Sequence, residues 1–281
     1  MTALTDVSDL INRATGGNSG TPENISFFKS ARIAGAAATA PVAGRWASLW
    51  LYDGQPCAGP APAGSAVYPT NTTAGGLQQV DPGGGRQKWI TSLDGAALVG
   101  GTLMIYDRLA QYGGLSGTVT TAQTVNLTPT RYTDGLGNIA FIEINSAIGT
   151  TATTVTMLYD NQASGTSITG PAVVLGGAGF DEKTRMIMLP LAAGDYGIKQ
   201  VRNIDLLAST VSAAGDMAVV IAHPLAYLSL NAPGVGCPSR DLFSGFPKMG
   251  EALTDACLAM AWLPNTTTVP EITGRISFVE A

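Results

Sequence analysis

The chain has 281 residues, and only 12% of them are charged, where about 25% is usual for a soluble domain. A formal net charge of -5 with no run of Lys or Arg excludes the counterion-displacing footprint of a nucleic-acid binder. A hydrophobic content of 45% is enough for a core and excludes disorder as the main state, while the best apolar run, 217–230, is interrupted by His223 and Pro224 and is too short to span a bilayer.

In chain order, residues 6–14 predict a short helix with Val7, Leu10 and Ile11 on one face, stopped by Gly16-Gly17, and the acids around it sit where an export signal has its basic region. Residues 1–69 read as an N-terminal arm and anchoring strand. Pro22 forbids helix continuation, and the run Ala36–Ala38 offers little to pack, yet Ile25, Phe27, Phe28 and Ile33 need burial. A segment that is apolar in spots but cannot close on itself lies along another surface, either its own body or a neighbouring subunit. Ile25, Phe27, Phe28, Arg32 and Ile33 are therefore the subunit-interface candidates. Over 46–52 a strand would place Trp46, Ser48, Trp50 and Tyr52 on one face, with Trp46 and Trp50 anchoring the arm to the body.

Residues 70–281 read as the body. Short Val-, Ile- and Thr-rich segments at 87–92, 101–109, 118–125, 139–145, 153–159, 168–175, 184–191, 196–207, 217–222 and 226–230 are separated by Gly, Asp, Asn or Ser turns. That spacing predicts an all-β fold, a β-sandwich or jelly-roll-like body with an extended N-terminal arm, with the option of two β units dividing near residue 165. In 139–145, Ala140, Ile142 and Ile144 alternate with Glu143 and Asn145, which places the last two on an outer face. The stretch KMGEALTDACLAMAWL, 248–263, predicts one short C-terminal helix, with Leu253, Cys257, Met260 and Ala261 at helical spacing and Pro264 ending it. A strand over 272–279 closes the chain.

Residues with catalytic chemistry are scarce. The single histidine, His223, reads as structural, and no Gly-x-Ser-x-Gly elbow presents a nucleophile. Cys57, Cys237 and Cys257 lack metal-ligand spacing; they read as reduced, partly buried thiols, with a Cys237–Cys257 bridge as the sharper alternative. Gly83-Gly84-Gly85 and Gly113-Gly114 supply turns rather than a phosphate cradle, and the acids at strand ends are turn residues. No enzyme activity, cofactor, metal or membrane is expected. A chain that minimises charge, keeps many short strands and carries an apolar arm has the properties of an assembly subunit.

Four phrases, PENISFFKSARIAGAAATAPVAGRWASLWLYDGQP, TAGGLQQVDPGGGRQKW, MIYDRLAQYGGLSGTVTTAQTV and DACLAMAWLPNTTT, resemble a group of tailed-bacteriophage virion structural proteins. The resemblance implies a particle component, assembled in the host cytoplasm and associated with the head as a decoration or cement protein. On this reading the partners are the chain itself, as a homotrimer, and the major capsid protein or another virion protein. A tail, neck or baseplate protein is the second reading. A carbohydrate-binding receptor module is the third, and it requires an exposed aromatic platform at Trp89 or Trp262.

Overall fold

The computed structural model describes residues 7–16, 22–33, 41–230, 239–241 and 250–280. Helix α1 (Val7–Ala14) is followed by seventeen strands: β1 (Glu23–Ile33), β2 (Ala47–Ser48), β3 (Tyr52–Gln55), β4 (Lys88–Ala97), β5 (Gly101–Leu115), β6 (Gln123–Leu127), β7 (Ile139–Ser146), β8 (Thr153–Asn161) and β9 (Ile168–Thr169). The remainder are β10 (Val173–Leu175), β11 (Met186–Leu189), β12 (Ile198–Leu206), β13 (Asp216–Leu230), β14 (Ser239–Asp241), β15 (Glu251–Ala252), β16 (Leu258–Pro264) and β17 (Glu271–Glu280). The chain is all-β, as its turn spacing predicts.

The strands form three antiparallel sheets. A terminal sheet has the order β14-β4-β17-β1-β3, with β15 also on β4; a distal sheet has the order β10-β8-β12-β6, with β9 on β8; a central sheet has the order β11-β7-β13-β5-β16-β2. The two 15-residue strands of the central sheet, β5 and β13, are long enough to serve two sandwiches in succession. One half of the central sheet packs Leu103, Ile105, Leu228, Met260 and Trp262 against Phe27, Ile90, Leu93, Ile276 and Phe278 of the terminal sheet. The other half packs Leu109, Ile142, Ile144, Val219 and Ile221 against Val155, Met157, Val201 and Ile204 of the distal sheet. The opposite face of the central sheet is covered as well. Met104, Tyr106, Phe141, Val220, Ala259 and Ala261 lie beneath Trp50 and Leu51, with half-buried Trp46 at the margin. Strands buried on both faces read as continuous apolar runs, as in MAVVIA. A division near residue 165 would separate β8 from β12, which pair directly, so the two sandwiches are interleaved along the chain.

Several expectations are corrected. Among the described residues the expected C-terminal helix does not form: 251–264 holds β15 and β16, separated by a turn in which Asp255 has φ +60°. Leu258, Met260 and Trp262 fill one core while Ala259 and Ala261 fill the other, so the large-small alternation of LAMAW has period two. A short run buried on both faces cannot be told from a buried helix by its apolar residues alone. The expected strand over 46–52 is broken after Ser48, sending Trp50 and Tyr52 to different cores. Residues 217–230 form one strand instead of two, and Pro224, which cannot donate to the ladder, sits at a shift in register with β5. Gly113 and Gly114 lie inside β5, not in a turn. Among the described residues, no helix is long and apolar enough to cross a membrane.

Candidate functional site

Charged side chains occupy the middle of the central sheet, where the two sandwiches meet. Asp107 of β5 takes both Arg131 Nε (2.8 Å) and Nη2 (2.7 Å), and its Oδ1 also accepts from Cys257 N at 2.9 Å. Arg131 Nη2 further donates to the carbonyls of Pro69 and Arg108. The next residue points to the other face. Arg108 forks onto Glu143 of β7, with Nη1 to Oε1 at 3.2 Å and Nη2 to Oε2 at 2.5 Å, donates from Nε to Gln111 Oε1 at 2.6 Å, and stacks 4.3 Å from the Trp50 ring centre. Arg108 and Glu143 are both 0% exposed. Glu143 is thus not on an outer face, because the Trp50 layer covers that side of β7. Opposite Asp107 in register, His223 stacks on Tyr132 with ring centres 3.8 Å apart and its Nδ1 meets Asn138 Oδ1 at 3.0 Å. Tyr132 in turn donates to the Glu251 carbonyl.

This arrangement is closed. The Asp107 oxygens are occupied, and burial pushes the Cys257 thiol up to about 12, which keeps it from acting as a thiolate nucleophile. Its chemical capacity is to clamp the two sandwiches together through charge-assisted hydrogen bonds that strand pairing alone does not supply. Sequence reasoning missed Asp107, Arg108 and Arg131 and placed Glu143 outside, although charges embedded in apolar runs (LMIYDRLA, AFIEIN) were a readable signal.

The predicted contact residues fall elsewhere. β1 lies between β17 and β3 in the terminal sheet, so the segment expected to be an arm is packed on its own chain. Phe27 is a buried core residue, Ile25 packs at the core margin and Phe28 is exposed on the outer face. Arg32 and Ile33 end the strand, with Ile33 opposite Tyr52. Trp50 Nε1 donates to the Pro60 carbonyl at 2.8 Å. Cys257 is a buried free thiol and Cys57 an exposed one, while Cys237 lies outside the described residues. Trp262 is wholly buried and Trp89 half-buried, which removes Trp262 as a carbohydrate platform.

A cavity of about 300 Å³ opens where β3 stops beside β1, lined by Ile25, Ser26, Gln55, Cys57, Gly75 and Leu77. Next to it Lys29 is buried, its Nζ donating to the carbonyls of Tyr52 (2.9 Å) and Cys57 (3.3 Å). Burial lowers its pKa to about 8 from 10.5, partly offset by Cys57 and Asp53. Between these two values the folded state has released the proton while the unfolded chain still holds it, so stability rises with pH over that window and is flat below it. Relative to Lys29→Met, the wild-type protein is expected to gain roughly 3 kcal/mol between pH 8 and pH 10.5 in chemical denaturation. A difference independent of pH would contradict this.

The surface is left short of charge. Of 15 Lys or Arg and 20 Asp or Glu in the chain, nine are buried among the described residues, including Lys29, Lys88, Arg108, Arg131, Glu143 and Glu280. The outer face of the terminal sheet instead shows Asn24, Ser26, Thr273 and half-buried Ser277, with Arg275 paired to Asp94 at 3.1 Å.

No family model and no curated protein matches the chain. Among solved structures, the infectious bursal disease virus VP2 subviral particle aligns over 92% of this chain and 80% of that one, at 8% identity and a TM-score of 0.19. A second structure, of the infectious bursal disease virus Gt strain, aligns over 92% and 79%, at 10% identity and a TM-score of 0.15. At such scores neither likeness bears on the fold or the function of this chain.

Proposed function

We propose that the chain is a structural subunit of a tailed-phage virion, a head-associated decoration or cement protein that braces capsid subunits. The observation that carries this reading is the placement of charge. A chain that is already charge-poor draws nine of its charged side chains inward and presents hydroxyls, amides and small residues outward. Desolvating a charge is costly unless it finds a partner, whereas Ser, Thr and Gly surfaces are covered cheaply, so such a surface suits a protein that spends its life against neighbours. The clamped double sandwich supplies a stiff body for that task, and the sequence resemblance to phage virion proteins points the same way.

The structure alters one part of the expected mechanism. With β1 packed in the chain's own terminal sheet, bracing falls to the faces and ends of the body instead of to a free arm. The test is a copy count by quantitative gel on purified virions of the phage that encodes the chain. Hundreds of copies per particle are expected for a head component. A dozen or fewer would move the protein to the tail, neck or baseplate, and none would overturn the virion reading.

A further inference from the structure

We draw no further inference here: the strongest candidate, the cavity of about 300 Å³ where β3 stops beside β1, rests on the lone thiol of Cys57, since the neighbouring Lys29 is already bonded to two carbonyls, and nothing in the structure shows what occupies it.

Discussion

Replacing Glu143 by alanine is expected to cost the fold about 3–5 kcal/mol, the range for stranding one member of a buried ion pair. Arg108 would keep its bond to Gln111 and its stack on Trp50 but lose both Glu143 oxygens, and at 0% exposure it cannot reach water instead. The double change Arg108→Met with Glu143→Leu should recover most of that loss, because it removes both charges and keeps the volume filled. Urea denaturation of the three proteins checks this. A Glu143→Ala protein within about 1 kcal/mol of wild type would show that the pair does not brace the central sheet.

The second large effect concerns the N-terminal strand. Removing residues 1–33 is expected to abolish cooperative folding, because β1 sits between β17 and β3 and its loss exposes the edge of β17 over the paired positions from Glu271 to Phe278. A milder probe is Phe27→Ala, expected to cost about 3–5 kcal/mol for emptying a buried aromatic site. The Phe27 ring fills the space left by Gly274, where a Cβ would come within 2.4 Å of its Cζ. Thermal unfolding distinguishes the two pictures of this segment: an arm detached from its own body would leave the melting temperature of the truncated protein unchanged.

Much of this fold was legible. Turn residues and β-branched runs locate most of the long strands of the body, and the short helix at 7–14 follows from its apolar spacing and Gly stop. Two of the misreadings have a common physical origin in burial on both faces. Glu143 reads as solvent-facing if a strand is assumed to have one wet side, yet the Trp50 layer covers that side. LAMAW reads as helical if only apolar residues are counted, while its size alternation belongs to a strand between two cores. β1 reads as an arm because no local pattern announces that its partners, β17 and β3, lie respectively some 240 residues and about 25 residues further along the chain. Of the candidate contact residues, the sequence shows which are apolar, but only the register of β1 shows that Phe27 faces the core and Phe28 faces out.

The low charge content that stands out in the sequence becomes more pronounced at the surface, since nine of the charged side chains are buried. The most direct test of whether this neutral surface belongs to an assembly is an electron cryomicroscopy map of the virion. The double sandwich is expected in many copies on the head, each with its hydroxyl-rich faces against neighbouring subunits. A map in which the protein is absent from the particle, or stands isolated with its hydroxyl-rich faces in solvent, would contradict this reading.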